Sequence, residues 1–450
     1  MINVFKPLKV RPVILAAGLS SRFQPAHKAL RPPWGAGLLR QAISTLNLIG
    51  FARPLTVVGY RAAEVGAEAL SLGSEVILNP LYERGMFSSV VKGLLKAKEE
   101  AVEAAAVLPV DAGLVSPSSL LALLAFWFNL EPEPSHLAAI AFYNGLIGHP
   151  PVIGSSLFDS IVNYQRSFGL RGALASLSGG NEARKLFIEA QWPRLYQSGA
   201  LRFMDSADPS VLGDIDEPKD LEEALKVLSE FKGPERPTID QALTWLAIGG
   251  KENKKAHMLT VSVLSLRLSL ALGAQDAELA FLGGLVHDIV RDGSWHDLKS
   301  RERAEAMGWR DLGLVIGAHS EFPVALGSAI DFTAQEGDRP RPDGQDYYNL
   351  PSSIVEATLC VHLADKYAKG AEIVDLERRF KAALEKPEPL FRNGAQRRYR
   401  VAKALEKWFG QRIGAEPLEV ILSPSGHRLE QEAFKAASGE AILGFGGEKR

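Results

Sequence analysis

A loop rich in glycine and serine follows the first apolar segment of the chain and precedes two basic residues. The apolar run Val13–Ala17 leads into Gly18, and the basic residues are Arg22 and Lys28. Backbone N–H groups in a loop after a parallel strand can hold phosphate oxygens, and the two cations can neutralise a triphosphate. The alternative is an ordinary strand–helix turn with two solvated cations. The pattern predicts phosphate binding at this loop.

Carboxylates stand at two further places in the first half of the chain. Asp111 follows the apolar segment Ala105–Val110, and Asp214 and Asp216 precede the last helical pattern of this half. Carboxylate oxygens are the ligands that a Mg²⁺ bound to nucleotide phosphates requires. Each residue taken alone also fits a helix cap or a solvated loop.

The second half places histidine and aspartate on apolar helical segments. His257 lies on an apolar helical face, His287 and Asp288 end an apolar helix, and Asp365 comes late in another. A lone histidine on such a face is commonly a core residue with a satisfied hydrogen bond. A buried carboxylate needs a partner, because an unpaired buried charge is costly.

The elements that must position these groups differ between the two halves. The first half alternates strand and helix patterns, which predicts a doubly wound, mostly parallel α/β sheet of the Rossmann-like kind. Its strands are predicted over Val13–Ala17, Leu55–Val58, Glu75–Leu78 and Ala105–Val110, and its helices over Leu38–Ile49 and Ser88–Ala104. From Asp240 onward the pattern is helix after helix, which predicts an all-α domain. Those helices include His257–Leu268, Leu279–Val290, Arg303–Met307, Leu312–His319 and Ile354–Ala368.

These patterns predict the domain boundaries. We expect a doubly wound α/β domain over residues 8–230, a linker over 231–239, an all-α domain over 240–410 and a C-terminal extension over 411–450. The linker contains the Pro- and Gly-bearing stretch around Gly233, which breaks both patterns. The irregular stretch Asp331–Pro351 fits either a lid or a long surface loop.

Composition limits the classes of partner and cofactor. With 46% apolar and 23% charged residues among 450, and a net charge of −2, nothing favours nucleic acid or an anionic membrane as a partner. The single cysteine, Cys360, excludes an intrachain disulfide and a thiolate cluster, so a metal would be held by His, Asp or Glu. Val13–Ala17 is too short for a signal-peptide core or a membrane span, and a cytoplasmic protein is expected.

Several motifs of the first half, taken in order, resemble those of one enzyme family. They are Leu15–Arg22 with Lys28, Asn79-Pro80 with Gly85–Val90, Leu108–Asp111, Gly148–Pro151 and Asp214–Leu221. Together they resemble the molybdenum cofactor cytidylyltransferases, within the wider MobA-like nucleotidyltransferases, over most of Val10–Val227. The Ala16-Ala17-Gly18 form is similar to the cytidylyl branch rather than the guanylyl branch.

The chain also departs from this family's pattern. Phe23-Gln24 stands where the family has Met-Gly, and Ala112-Gly113 stands where it has Met-Pro. Gly169–Ala173 carries its Gly-Ala-Arg segment in another order. These departures concern the substrates and the activity, whereas Arg22, Lys28 and Asp111 are retained.

The resemblance implies nucleotidyl transfer. A terminal phosphate of the acceptor, molybdopterin in this family, would attack the α-phosphorus of CTP or another NTP, and pyrophosphate would leave. Positioning and charge neutralisation would carry the catalysis. The implied nucleotide-binding residues are Leu15, Ala16, Ala17, Gly18, Ser20, Ser21, Arg22 and Lys28. Arg22, Lys28 and Asp111 would be catalytic, and Asp111 with Asp214 or Asp216 would hold Mg²⁺. His149 is a candidate on the acceptor side, and the alternative is a structural histidine beside two prolines.

The order His257, His287-Asp288, Asp365 resembles the HD superfamily of metal-dependent phosphohydrolases, over roughly Asp240–Leu384. The resemblance implies that these four residues bind one divalent ion, with Mn²⁺, Fe²⁺, Ni²⁺, Co²⁺ or Zn²⁺ better suited than Mg²⁺. It implies hydrolysis of a phosphoester by activated water. His319 and Arg291 are candidates for substrate phosphate, and His319 also for a second metal.

Three readings of function remain open at this point. The first is a bifunctional enzyme that combines nucleotidyl transfer to molybdopterin with phosphoester hydrolysis. The second is a transferase for another acceptor, such as a sugar or alcohol phosphate. The third is a protein without transferase activity that binds molybdenum cofactor and delivers it to a molybdenum enzyme, with a regulatory HD domain. Pyrophosphate release with CTP would discriminate the third from the others.

Overall fold

The structure, a computed structural model, divides into two compact units. It describes residues 2–6, 9–23, 27–30, 37–131, 133–181, 185, 197–290, 295–319, 350–437 and 444–445. Residues 7–233 form the first unit, here called the sheet unit, and residues 234–450 with residues 3–6 form the second, the helical unit. The domain bounds expected from the sequence remain predictions.

The sheet unit is built on one sheet of nine described strands. These are β1 Val10–Ala16, β2 Leu55–Val58, β3 Glu75–Leu78, β4 Ala104–Pro109, β5 Ala138–Tyr143, β6 Leu146–Ile147, β7 Val152–Gly154, β8 Gln197–Ser198 and β9 Leu201–Asp205. The order is β3-β2-β1-β4-β7-β5-β9-β8, with β6 paired to β5. Strands β3, β2, β1 and β4 are parallel neighbours, whereas β7 is antiparallel to both β4 and β5.

Seven described α-helices accompany this sheet. They are α1 Leu38–Ile49, α2 Ala62–Ser71, α3 Met86–Glu99, α4 Pro117–Phe128, α5 Phe158–Val162, α6 Gly169–Ser176 and α7 Pro218–Glu230. Val13 and Leu15 of β1 point into a core that α3, α5 and α6 complete, and by alternation Ile14 points to the opposite face. The predicted α/β class is confirmed, and the antiparallel strands make the sheet mixed.

Local chemistry explains where these elements begin and end. The apolar face of α1 is buried, and the helix ends at Gly50, whose φ of 120° suits glycine alone. The Ser116 side chain caps α4 by accepting a hydrogen bond from the Ser119 N–H. Helix α3 ends at Glu99 rather than at the expected Ala104, because the alanines at 104–106 belong to strand β4.

The helical unit contains ten described α-helices. They are α8 Ile239–Gly249, α9 Glu252–Leu272, α10 Ala277–Val286, α11 His296–Ala306, α12 Arg310–Gly317, α13 Ser352–Tyr367, α14 Leu376–Leu384, α15 Pro389–Ile413, α16 Pro417–Leu422 and α17 Arg428–Ala437. A small sheet joins β10 Ala368–Lys369, β11 Glu372–Ile373 and β12 Gly444–Phe445. Helix α8 begins at a capping box formed by Thr238 and Gln241.

Helix α9 is the central element of this unit. It packs against α10 and α13, and most of its side chains are buried. Among the described residues it is the one helix long and apolar enough to pass a test for a membrane span, but 78% of its apolar window is buried inside the protein. That burial is typical of a core helix.

Candidate active sites

Two cations and three carboxylates meet beyond the carboxyl ends of β1 and β4. The Lys28 ammonium lies 2.8 Å from Asp111 Oδ2 and 3.4 Å from Asp216 Oδ1. Arg22 Nη1 lies 3.1 Å from Asp216 Oδ2. Asp214 joins Asp111 and Asp216 in a group whose ligand atoms lie within 4.8 Å of one another. The structure thus brings together the residues expected to bind triphosphate and Mg²⁺.

Backbone contacts fix this cluster in place. The Ile215 N–H donates to the Asp111 carbonyl at 3.2 Å, and the Ile215 side chain is buried, so the last carboxylates are tied to the end of β4. The Asp220 carboxylate accepts from the N–H groups of Asp216 and Glu217 at the start of α7. On the other side, the Ser20 hydroxyl accepts from the Lys28 N–H at 3.1 Å.

The carboxylate group fits a divalent cation. Burial raises the pKa of Asp214, and the nearby charges of Asp111 and Asp216 raise it further. A divalent cation would relieve this repulsion, and oxygen ligands are those that Mg²⁺ prefers. Asp111 and Asp214 or Asp216 are therefore the residues that would hold it.

The other residues of the expected phosphate loop differ in burial and in backbone conformation. Leu15, Ala16 and Ala17 are buried, so a ligand could meet only their backbone. Apart from the residues next to it in the chain, no described residue has an atom within 4 Å of the position that a Cβ on Gly18 would occupy. Ser20 adopts a left-handed φ of 51°, and Ser21 begins the 3₁₀ turn that carries Arg22. Gln24 lies outside the described residues.

A cavity of about 470 Å³ opens beside the end of β1 and β4. Three of the motifs noted in the sequence line it, each from a different part of the chain: Gly85–Phe87, Gly148–His149 and Gly169–Arg171. Its size lies within the range of small-molecule sites, which is roughly 300–1,000 Å³. The sequence predicted the separate motifs but not their convergence on one cavity.

His149 lines this cavity as a neutral imidazole. Burial lowers its pKa, while Asp111 raises it and Arg171 lowers it further through their charges. Its Nδ1 is buried without a hydrogen-bond partner among the described residues. The backbone N–H of His149 donates to the Val211 carbonyl at 2.7 Å, and this bond holds the residue in its place at the cavity. The candidate acceptor-side histidine therefore lines the cavity and lies close enough to Asp111 to be affected by its charge.

In the helical unit, histidine and aspartate side chains from three helical segments meet in the core. His257 Nε2 on α9 lies 3.1 Å from Asp365 Oδ1 on α13. His287 Nε2, just after α10, lies 3.7 Å from Asp365 Oδ1 and 3.8 Å from Asp288 Oδ2. All four side chains are buried. The structure thus brings together the four residues expected to bind metal.

The ring of His287 is oriented for a cation. Its Nδ1 lies 2.8 Å from the Gly284 carbonyl, so Nδ1 carries the proton and Nε2 a lone pair. Burial lowers its pKa, which keeps the ring neutral. Its Nε2 has no hydrogen-bond partner in the described part of the chain and faces two carboxylate oxygens. A lone pair facing carboxylates is repulsive unless a cation lies between them, so the donor set fits a metal ion.

Asp365 stays ionised in this core. Burial opposes its charge, but the ammonium of Lys366 and the hydrogen bond from His257 hold its pKa well below the usual value. An ionised carboxylate is the form that ligates a metal.

A second group of possible ligands adjoins the first. Asp288 Oδ1 lies 3.2 Å from His296 Nε2 and 3.8 Å from His319 Nε2, whereas its Oδ2 faces His287. The Nδ1 of His319 lies 2.7 Å from the Ile316 carbonyl, which fixes this ring in the same way as that of His287. Asp288, His296 and His319 can hold a second ion, and Asp288 lies between the two groups.

His296 was missed by sequence reasoning. It is the first residue of α11, a polar helix without an apolar pattern that would mark it. Only the fold brings it to Asp288. Arg291 and most of the stretch Asp331–Pro351 lie outside the described residues.

Two family models match the chain. The MobA-like NTP transferase domain matches residues 12–182, and the HD domain matches residues 255–370. Both resemblances expected from the motifs are thereby confirmed. No curated protein matches the chain.

Solved structures similar to the chain cover its first half. The Rv0371c protein of Mycobacterium tuberculosis is 18% identical over 49% of this chain and 99% of its own, with a TM-score of 0.37. A nucleotidyl transferase from Methanothermobacter thermautotrophicus is 17% identical over 49% and 99%, also with a TM-score of 0.37. A cytidylyltransferase from Leptospira borgpetersenii is 15% identical over 52% and 92%, with a TM-score of 0.36. The two family matches together make this chain an enzyme that joins a MobA-like NTP transferase domain to an HD domain.

Proposed function

We propose that the sheet unit transfers a nucleoside monophosphate, CMP from CTP, to a phosphorylated acceptor, and that this acceptor is molybdopterin. The observation that carries the proposal is the cluster of Arg22, Lys28 and three carboxylates, with the cavity beside it. The cluster suits a triphosphate with its cation, and the cavity offers room for a second substrate. The choice of CTP and molybdopterin rests on the sequence resemblance.

The chain's own residues would act by positioning and by charge. Arg22 and Lys28 would bind the triphosphate and stabilise the negative charge that develops on the leaving pyrophosphate. Mg²⁺ held by Asp111 with Asp214 or Asp216 would supply further charge neutralisation. The acceptor phosphate is already anionic, so a strong general base is unnecessary. His149 would orient the acceptor phosphate as a neutral hydrogen-bonding group.

The test is pyrophosphate release by the full chain and by Asp111→Asn. This substitution keeps the shape of the side chain and removes its charge, so we expect the transfer to be lost with the fold intact. Asp159→Asn is the matched control, because Asp159 is exposed and pairs only with Lys98 in the described part of the sheet unit. Wild-type turnover in Asp111→Asn would refute the role of Asp111.

The same assay separates the alternatives. A higher kcat/KM for CTP than for GTP would support the cytidylyl assignment, and equal values would remove it. Pyrophosphate release with sugar or alcohol phosphates but not with molybdopterin would favour the second reading. Tight molybdenum cofactor binding without release would favour a delivery protein whose partner is a molybdenum enzyme. A cytoplasmic location remains a prediction.

We propose that the helical unit hydrolyses a phosphoester with divalent transition metal ions. His257, His287, Asp288 and Asp365 would hold one ion, and Asp288 with His296 and His319 a second. Such ions lower the pKa of water and polarise the phosphoester. Lys366 would keep Asp365 charged, and the Nδ1 hydrogen bonds of His287 and His319 would keep both rings aimed at the ions.

Metal stoichiometry tests the two-ion arrangement. Protein purified without chelator should contain about two transition metal ions per chain, and His296→Ala about one. His136→Ala is the matched control, because His136 is exposed and lies in the sheet unit. An unchanged metal content in His296→Ala would restrict the site to one ion.

A further inference from the structure

Phe168 stands out on the wall of the cavity in the sheet unit. Its side chain lines the cavity and is 64% exposed, the highest exposure among the large apolar residues that line it. Its backbone φ is 73°, in the left-handed region that bulky residues rarely adopt. Backbone strain of this kind persists only where the surroundings impose it.

Close contacts flank Phe168 on both sides. The Tyr164 hydroxyl donates to the Ser167 carbonyl at 2.9 Å, and the Tyr164 ring packs edge-on against Phe87. A Cβ on Gly172 would lie 2.2 Å from the Ser167 carbonyl oxygen, so the chain can pass there only as glycine. These contacts lie on both sides of Phe168, and its exposed aromatic ring lines the cavity.

The charges around the cavity point to an anionic ligand. Arg84 and Arg171 line it, and neither guanidinium has a carboxylate partner in the described part of the chain. The remaining wall is largely apolar, with Met86, Phe87 and Leu170. A cavity with an exposed aromatic ring, apolar sides and two arginines suits a flat ring system that carries a phosphate.

We infer that Phe168 is the specificity-determining residue of the acceptor site and selects a flat heteroaromatic phosphate over a sugar or alcohol phosphate. The ring of Phe168 stacks on the acceptor's ring, and Arg171 binds an anionic group of the same molecule. Sugars and alcohols lack a π-face, so they pack on the ring only through C–H groups and gain less from this contact than a flat heteroaromatic ring does. The inference rests on the proposed transferase function, since it assigns the cavity to that reaction's acceptor.

The test measures binding by the full chain rather than turnover. The probe is 6-hydroxymethylpterin phosphate, whose pterin fluorescence is quenched on stacking, with glucose 1-phosphate as the non-planar competitor. Phe168→Leu removes the aromatic face and should weaken pterin phosphate binding about tenfold, in line with typical stacking energies. Phe168→Tyr keeps the face and should restore the affinity. The affinity for glucose 1-phosphate should change less than the affinity for the pterin phosphate in Phe168→Leu.

Arg171→Gln should also weaken binding of the pterin phosphate, while Arg166→Gln should not. Arg166 is an exposed arginine in the loop that carries Phe168, and it does not line the cavity. Equal pterin phosphate affinity in wild type and Phe168→Leu, or stronger binding of glucose 1-phosphate than of the pterin, would overturn the inference.

Transferase activity is scored separately, so the two proposals can fail independently. Phe168-dependent pterin binding without pyrophosphate release from any nucleotide would uphold the pocket assignment and refute the transferase. Pyrophosphate release with sugar phosphates, at the same rate in wild type and Phe168→Leu, would uphold the transferase and refute the pocket assignment.

Discussion

Lys28 places its ammonium among the carboxylates that are expected to hold a metal ion. It lies 2.8 Å from Asp111 and 3.4 Å from Asp216, and its side chain is 12% exposed. Without substrates this ammonium offsets the charge of the carboxylates. With the proposed cation and triphosphate bound, the carboxylates would gain a new partner, and Lys28 would become available for the phosphates. Lys28 would thus serve both the free and the occupied site.

Lys28→Met should separate these two roles. We expect kcat/KM for nucleotidyl transfer to fall by about 100-fold or more, because one preorganised cation at developing charge is worth that much. The affinity for Mn²⁺ in the absence of nucleotide should be retained or increased, since a competing cation is removed. Steady-state pyrophosphate release and Mn²⁺ titration measure the two quantities. Lys92→Met, at an exposed lysine of α3, is the control. Loss of Mn²⁺ binding in Lys28→Met would contradict this account.

His149 should make the stability of the protein depend on pH. Its folded pKa is lowered, above all by burial, from an ordinary value of 6.5. Below pH 6.5 the unfolded chain therefore binds a proton that the folded chain does not bind. Well above pH 6.5 the His149 ring is neutral in both the folded and the unfolded chain, so it adds no pH dependence to the free energy of unfolding there. Stability is lost as the pH falls from 6.5 towards the lowered folded pKa.

His149→Gln should reduce this loss. The wild type should lose up to about 1.4 kcal/mol more stability per pH unit than the variant below the unfolded pKa of histidine. Urea unfolding between neutral pH and pH about 5 measures the difference in slope, since the other titrating groups are common to both proteins. Parallel pH profiles would show that His149 titrates alike in the folded and unfolded chains.

Two adjacent glycines let helix α10 approach its neighbours closely. A Cβ on Gly283 would lie 2.7 Å from Val315 Cγ1, and one on Gly284 would lie 2.6 Å from the backbone Cα of Ser262 on α9. The carbonyl of Gly284 also accepts the hydrogen bond that orients His287. The helix contact and the metal site therefore depend on the same residue.

Gly284→Ala should damage both stability and metal binding. Because the contacts are with backbone atoms that cannot rotate away, α10 must move, at a cost of about 1–3 kcal/mol, and His287 moves with it. Urea unfolding and elemental analysis would detect the two effects. Gly394→Ala on α15 is the matched control: its Cβ would meet only the end of Arg398 at 3.5 Å. That change should leave the metal in place and leave stability unchanged or raised by up to about 1 kcal/mol.

At the level of elements, apolar patterns predicted the bounds of helices and strands better than polar patterns did. Strands β2 and β3 and helix α1 lie over the residues that the sequence indicated, because their apolar runs have clear ends. Helix α10 ends at Val286 rather than at Val290. The His287 side chain donates to the Gly284 carbonyl and so competes with the next backbone hydrogen bond of that helix.

The functional sites were less predictable than the elements. The motifs contained the residues that meet in the cluster of Lys28 with Asp111 and in the first group of histidines and aspartates. They did not identify His296, Phe168 or Arg84, because these residues become part of a site only through contacts with distant segments. A single sequence carries no local signal for such contacts.

At the scale of the whole molecule, a single cut in the chain does not separate the two units. Residues 3–6 belong to the helical unit, although residues 7–233 lie between them and the rest of it. The Val4 N–H donates to the Ala436 carbonyl at 3.0 Å, and the Val4 side chain is fully buried. A cut near Gly233 would therefore take these residues away from the helical unit. The independence of the two sites is better tested in the full chain.

The replacement of His287 and Asp288 together by alanine tests that independence. The wild type buries two carboxylates and two imidazoles around one point, and His287 Nε2 faces carboxylate oxygens at 3.7 and 3.8 Å. A single cation satisfies all of these groups at once, so the wild type should retain transition metal through purification. The double variant lacks two of the proposed ligands of the first ion, and Asp288 is also a proposed ligand of the second. It should contain no transition metal and hydrolyse no phosphoester.

Nucleotidyl transfer should persist in this double variant, because Arg22, Lys28 and Asp111 belong to another unit with its own core. Elemental analysis, phosphoester hydrolysis and CTP-dependent pyrophosphate release, measured on one preparation, give the three readings. An unchanged metal content would refute the ligand assignment. Loss of pyrophosphate release together with the metal, in a protein whose sheet unit still unfolds cooperatively, would show that the two sites are coupled. Metal in the wild type without hydrolysis of any phosphoester would leave the site as a sensor or scaffold, because the same ligands bind a cation whether or not a substrate can reach it.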